Sequence, residues 1–140
     1  LYQIPYKNMV RSMFHMPDQS SFDMLYDNLK HQETISFWST SFLRGTTLDD
    51  AIVIVDECQN LNFHELDSII TRVGQDSKIV FCGDVNQSDL QRTNERNGIL
   101  DFQRILEEME EFSMIEFGIN DIVRSGLVKS YLISKMSLNL

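Results

Sequence analysis

The chain has 140 residues, 42% of them hydrophobic, and a formal net charge of −9. This size and composition predict one globular domain over residues 1–140. The negative charge opposes a sequence-independent grip on nucleic acid, which depends on lysine and arginine, although a local basic groove stays open. No apolar run approaches the roughly 20 residues that span a bilayer, and no signal-peptide pattern opens the chain, so we expect no membrane partner.

The two cysteines, Cys58 and Cys82, lie at the ends of apolar runs. Neither their number nor their spacing indicates a disulfide framework or a zinc site. We therefore expect a reducing, cytoplasmic setting.

The amino-terminal part predicts two helices. Apolar residues recur at helical spacing after Pro5 and again after Pro17, where Ser20 and Ser21 are candidate N-caps. Methionine and aromatic stripes of this kind are typical of a core and carry no chemistry. The β-prone segment Thr34 to Trp38 predicts a short strand beside the central one.

The segment 51–59 combines a buried type of strand with two carboxylates. The unbroken apolar run from Ala51 to Val55, which is β-branched from Ile52 onward, predicts a central strand of a parallel sheet covered on both faces. Such strands direct their carboxyl ends at the ligand crevice of open α/β sheets. Asp56 and Glu57 follow at once and project in different directions, so that one can hold a metal while the other faces a water.

A helix is predicted directly after these carboxylates. Asn62 and Glu65 have the spacing of a capping box, the asparagine as N-cap and the glutamate at N3. Apolar residues then recur at helical spacing, and Gly74 is the predicted C-terminal stop.

A second buried strand is predicted from Lys78 to Cys82, followed by Gly83 and Asp84. The two strands and the intervening helix form a crossover of the usual length, which is nearly always right-handed. Asp84 should therefore meet Asp56 at the same edge of the sheet.

The rest of the chain predicts four further segments. Residues 91–97 are polar and predict an exposed loop, after which Ile99 to Met109 has helical spacing. Ser113 to Phe117 is predicted as a third strand. A final amphipathic helix carries Leu127, Val128, Tyr131 and Leu132.

An apolar strand that ends in Asp-Glu is the pattern of nucleoside triphosphatases, in which the aspartate fixes magnesium and the glutamate polarises the attacking water. Asp84 and Gln87 add an acid and an amide that could sense a terminal phosphate. Arg124 could offset developing phosphoryl charge, and Arg44 precedes the strand as a candidate phosphate contact.

These residues resemble the PhoH-like family of P-loop ATPases, over a match from about Ser41 to Leu132. The resemblance implies a three-layer RecA-like α/β core with a mostly parallel sheet, together with ATP and Mg²⁺ as cofactors. The family is common in bacteria and phages, was named from phosphate starvation, and has RNA-directed work as a recurring proposal. The matching segments are Phe42 to Leu48, Asp56 to Asn60, Thr71 to Gly74, Ser77 to Leu90 and Asp121 to Arg124.

The same resemblance implies roles for individual residues. Asp56 would be the magnesium-associated Walker B aspartate and Glu57 the catalytic base. Asp84 and Gln87 would match the Gly-Asp-x-x-Gln sensor, and Arg124 would reach the γ-phosphate. Two further residues, Gln59 and Arg44, are predicted to contact the nucleotide.

One departure from the family pattern concerns the phosphate-binding loop. No Gly-x-x-x-x-Gly-Lys-[Ser/Thr] occurs in the 140 residues. We therefore expect an amino-terminally truncated domain that binds ATP barely or not at all by itself. We also expect the strands 51–55 and 78–82 to pair, and the 113–117 strand to be displaced, weakly paired or joined directly to 78–82.

Two other interpretations stay open. A non-catalytic module on a degenerate P-loop fold could hold RNA, single-stranded nucleic acid or a partner protein through Arg44, Arg92, Arg96 and Arg124. A metal-dependent nuclease built on Asp56, Glu57 and Asp84 is disfavoured, because the nearby lysine that many such sites use is missing. A homo-oligomer is compatible with each interpretation.

Overall fold

The computed structural model describes residues 3–15, 18–40, 45–84 and 93–138, with the backbone alone for residues 93–97. The described residues form an α/β arrangement, which confirms the predicted class. Two short 3₁₀ turns, at Cys58–Asn60 and Ile119–Asp121, join the longer elements. Those elements are α1 (Ile4–Phe14), α2 (Gln19–His31), β1 (Ile52–Val55), α3 (Phe63–Ile70), β2 (Lys78–Phe81), α4 (Thr93–Glu107) and α5 (Gly126–Ser137).

The two strands form a parallel pair, as predicted. Ile52 is in register with Lys78, and Val55 with Phe81. The pairing continues past the strand ends, because the Cys82 N–H donates to the Val55 carbonyl over 2.8 Å. The crossover through α3 therefore brings the chain that follows β1 and the chain that follows β2 to one edge.

The start of α3 has the predicted capping box. The Asn62 side chain accepts from the Glu65 N–H over 3.0 Å, and the Glu65 carboxylate accepts from the Asn62 N–H over 2.9 Å. The predicted stop is wrong, because α3 ends at Ile70, before Gly74 is reached. Gly74 instead permits close packing: a Cβ there would lie 1.9 Å from Asp49 Oδ1.

The core lies between one face of the sheet and the helices α3 and α4. Leu66 of α3 is fully buried, at 0% exposure. Side chains on this face of both strands, including Val53 and Ile79, pack against the same cluster. The buried members of the cluster are Val55, Cys58, Leu66, Ile69, Ile99, Phe102 and Leu106.

The opposite face of the sheet is open within the described residues. Ile52 and Ile54 are 73% and 66% exposed, and Val80 is 47% exposed. The prediction that β1 is covered on both faces is therefore wrong for the described part of the chain. The helices supply one covering layer, and the three-layer RecA-like core stays a prediction.

Two predicted strands do not form. Thr34 to Trp38 and Ser113 to Phe117 carry no ladder pairing in the structure. Both have β-prone side chains, but a strand needs a partner, and intrinsic preference yields to that tertiary requirement. The prediction that a 113–117 strand would be displaced, weakly paired or joined directly to 78–82 stays a prediction, since the segment forms no strand among the described residues.

Two helix predictions need adjustment at their ends, and a third needs adjustment in its burial. The N-cap of α2 is Asp18 rather than Ser20 or Ser21, and its Oδ1 accepts from the Ser21 N–H over 2.8 Å. Residues 93–97, predicted as loop, are the first part of α4, while 91 and 92 lie outside the described residues. The final helix forms, but Leu127 is 82% exposed, so its apolar side is not buried.

Across the described ranges, no helix is long and apolar enough to cross a bilayer.

Candidate functional site

The two predicted strand ends lie at one edge of the sheet. Asp56 directly follows β1, and Asp84 lies just beyond β2, which pairs with β1 in parallel. The chain segments after both strands are joined by the Cys58 N–H, which donates to the Cys82 carbonyl over 2.9 Å. Asp56, Glu57 and Asp84 are all solvent-exposed. The parallel pairing confirms that the two strands end at the same edge, while the predicted closeness of the Asp56 and Asp84 carboxylates stays a prediction.

Both carboxylate oxygens of Asp56 accept hydrogen bonds. Oδ1 accepts from the Glu57 N–H over 3.0 Å, and Oδ2 accepts from the Tyr6 hydroxyl over 2.7 Å. The Tyr6 ring contacts Phe37, with 5.8 Å between ring centroids. Helix α1 and the segment after α2 are therefore attached to the carboxylate edge. No motif in the sequence indicated Tyr6.

The Tyr6 hydroxyl lies near the acidic side chains Asp56 and Glu57. The hydrogen bond from Tyr6 to Asp56 raises the pKa of the Tyr6 phenol, and partial burial and the nearby Glu57 charge act in the same direction. A negative environment disfavours the phenolate, because that form would add another negative charge. The raised pKa is therefore the direction expected for a phenol that donates to a carboxylate at the end of β1.

Glu57 occupies an unusual backbone conformation. Its φ angle of 52° lies in the left-handed region, which non-glycine residues rarely adopt. The Glu57 carboxylate accepts from Gln59 Nε2 over 2.6 Å, and its carbonyl accepts from the Asn60 N–H over 3.0 Å. The tight turn after β1 thus holds the Glu57 carboxylate within hydrogen-bond distance of the Gln59 amide.

Gln59 connects the two strand ends. It is 3% exposed and is the buried polar residue among those the structure describes. While Nε2 donates to Glu57, Oε1 accepts from the Asp84 N–H over 3.2 Å. The side chain that was predicted to contact the nucleotide lies in the interior, and the nucleotide contact itself stays a prediction.

Close packing at Gly83 makes this connection possible. A Cβ at this residue would lie 2.5 Å from Gln59 Oε1 and 2.7 Å from Cys58 Sγ. Burial raises the pKa of the Cys58 thiol, which favours the neutral form. Cys58 and Cys82 are both free thiols.

The other predicted site residues are not joined to this edge by the described contacts. Arg124 is exposed in the segment before α5, and no hydrogen bond or ion pair within the described residues links it to Asp56 or Glu57. Gln87 and Arg44 lie outside the described residues.

Comparison with known proteins gives a consistent family match. The model of the PhoH-like protein family matches residues 4–134. The chain is similar to a PhoH-like protein of Bacillus subtilis (strain 168), with 36% identity over 102 residues, which are 73% of this chain and 32% of that relative. A PhoH-like protein of Mycobacterium leprae (strain TN) is 35% identical over 115 residues, covering 76% of this chain and 33% of the relative.

Protein PhoH of Escherichia coli (strain K12) is 36% identical over 87 residues, covering 62% of this chain and 24% of that protein. The chain therefore spans about a third or less of the length of these relatives.

Proposed function

Because the chain belongs to the PhoH-like protein family, we propose that it forms the carboxylate half of an ATP-hydrolysing site. The observation that carries this proposal is the parallel pairing of β1 with β2, which brings Asp56, Glu57 and Asp84 to one sheet edge. In open α/β sheets this edge is where ligands bind. A complete RecA-like core with three layers belongs to the same proposal.

The acidity of the edge supports a role for a divalent cation. ATP is itself an anion, so the acidic side chains at this edge would repel it unless positive charge lay between them. Magnesium sites in such enzymes use one or two carboxylates, with waters and phosphate oxygens completing the shell. Within the described ranges no three metal-binding side chains cluster together, and the single exposed carboxylate of Asp56 fits this sparse arrangement.

In this proposal Asp56 holds magnesium, which when bound would neutralise charge on the phosphate oxygens. Tyr6 and the Glu57 N–H orient the Asp56 carboxylate through their hydrogen bonds. The metal affinity of a ligating carboxylate depends on hydrogen bonds of this kind, which hold the carboxylate in its binding orientation.

Glu57 is the proposed general base. Its carboxylate is exposed, and one of its oxygens is held by Gln59 over 2.6 Å. A fixed carboxylate at the ligand edge can accept a proton from a water aligned for attack on the terminal phosphate.

Asp84 and Gln87 are proposed to sense that phosphate. Arg124 is proposed to stabilise developing charge on it, and Arg44 to contact the nucleotide. The same proposal includes RNA-directed use of the ATPase and assembly into a homo-oligomer. It also includes a cytoplasmic location, which the two free thiols favour.

The test is ATP turnover by a protein that contains this chain together with a phosphate-binding loop. Glu57→Gln keeps the shape of the side chain and removes the base, so we expect most turnover to be lost while magnesium-dependent ATP binding is retained. Glu116→Gln is the matched control, because Glu116 is exposed and does not follow either strand, unlike Asp56, Glu57 and Asp84. Equal turnover in the wild type and in Glu57→Gln would contradict the proposed base.

A further inference from the structure

The amide of Gln59 bonds in two directions at once. Its Nε2 donates to the Glu57 carboxylate over 2.6 Å, and its Oε1 accepts from the Asp84 backbone N–H over 3.2 Å. The amide group is planar and rigid, so its nitrogen and oxygen move together. A shift of the chain at Asp84 is therefore transmitted to the atom that holds Glu57.

The surroundings leave this amide little freedom to move independently. Gln59 is 3% exposed, and Gly83 approaches it so closely that a Cβ on Gly83 would lie 2.5 Å from Oε1. The backbone beneath is tied by the bond from the Cys58 N–H to the Cys82 carbonyl. Breaking a hydrogen bond of a buried amide costs free energy, so the bonds to Glu57 and Asp84 favour one placement of the Gln59 side chain.

The backbone conformation of Glu57 increases the importance of the hydrogen bond that its carboxylate accepts from Gln59. A left-handed φ of 52° is unfavourable for glutamate and persists where surrounding contacts stabilise it. The bond from Gln59 is the side-chain contact that the structure gives the Glu57 carboxylate. Loss of that bond would free the carboxylate to take other rotamers.

We propose that Gln59 is a positioning residue that couples the chain at Asp84 to the carboxylate of Glu57. Its catalytic consequence rests on the proposed function: a displacement sensed after β2 would align or misalign the base after β1. The coupling itself is a property of the fold and is present without nucleotide.

The experiment measures this coupling by NMR on the 140-residue chain. Glu57→Gln changes the acceptor of the Gln59 amide, so we expect it to shift the backbone amide resonance of Asp84. In the Gln59→Leu background the same Glu57→Gln change should leave the Asp84 resonance unmoved. Amide hydrogen exchange at Asp84 should also quicken in Gln59→Leu by about two- to tenfold, the ratio that corresponds to one net hydrogen bond.

Gln103→Leu is the matched control, because Gln103 also donates to a glutamate, Glu107, over 2.9 Å, but both residues belong to α4 and not to the strand ends. In that background the response of Asp84 to Glu57→Gln should equal the response in the wild type. If Gln59→Leu does not fold, the single variant Glu57→Gln still tests the proposal. An Asp84 resonance that does not shift in that single variant would overturn the proposal. A shift of equal size with Gln59 and with Leu at position 59 would overturn it as well.

Failure of the coupling can be separated from failure of the proposed ATPase. In a complete protein that hydrolyses ATP, Gln59→Leu should lower kcat and leave the KM for magnesium-bound ATP nearly unchanged, because positioning of the base acts on turnover. Resonance coupling without ATP turnover would refute the ATPase and keep the positioning role. Turnover with a kcat unchanged by Gln59→Leu would refute the positioning role and keep the ATPase.

Discussion

Gly83 faces the turn after β1 with no room for a methyl group. A Cβ there would lie 2.5 Å from Gln59 Oε1, 2.7 Å from Cys58 Sγ and 3.2 Å from the Gln59 backbone nitrogen. These atoms cannot yield easily, because Cys58 and Gln59 are 8% and 3% exposed and the Gln59 amide is held by hydrogen bonds at both ends. We expect Gly83→Ala to lower the free energy of unfolding by about 1 to 3 kcal/mol, the usual cost of overpacking.

The measurement is urea unfolding followed by far-ultraviolet circular dichroism, with a lower midpoint expected at unchanged slope. Gly126→Ala is the control, because nothing lies within 4 Å of a Cβ at that first residue of α5. There the unfolding free energy should stay constant or rise by up to about 1 kcal/mol from better helix propensity. An unchanged midpoint in Gly83→Ala, or an equal loss in Gly126→Ala, would refute the close packing inferred at the strand ends.

Three further outcomes are expected. The hydrogen bond to Asp56 raises the pKa of Tyr6 in the folded protein. The stability that this contact gives is therefore present below the pKa of an unfolded tyrosine, and it is lost as the pH rises through the higher pKa of the folded state. Asp56→Asn should lower the pH at which NMR detects Tyr6 ionisation. Leu66→Ala should lower the unfolding free energy by about 2 to 5 kcal/mol, whereas Ile54→Ala, on the open face, should change it by under about 0.5 kcal/mol in urea titration. Arg124→Ala should slow ATP turnover in the complete protein and leave the unfolding midpoint of this chain unchanged, and unaltered turnover would contradict the proposed role.

The elements that could be predicted from the sequence are those with a local cause. The β-branched run before Asp56 and the capping box at Asn62 act within a few residues, and both appear in the structure. The segments 34–38 and 113–117 show the limit of such patterns. Their β-prone side chains are compatible with a strand, but a ladder depends on where a partner lies, which local composition does not specify.

The same distinction applies to the site. The meeting of the Asp56 and Asp84 strand ends could be predicted, because consecutive strands joined by one crossover usually lie side by side and, being parallel, end at the same edge. The bond from Tyr6 to Asp56 joins residues 50 positions apart, and no motif or spacing connects them. Gln59 is predicted as a site residue, but its burial at 3% and its bonds to Glu57 and Asp84 depend on the approach of Gly83, which only the folded chain provides.

The rigidity of the carboxylate edge must come from more than its sheet. Among the described residues the sheet has two strands of four residues each and one open face, and isolated two-stranded pairs are marginally stable in water. At the edge itself, the ladder is extended by backbone bonds of Cys58 and Cys82 and then by the side chain of Gln59. These links join the strands beyond their last paired residues, where Glu57 and Asp84 lie. The relative placement of the two acids therefore depends chiefly on the Gln59 and Gly83 contacts, and the strands bring them near one another without fixing how they are aligned.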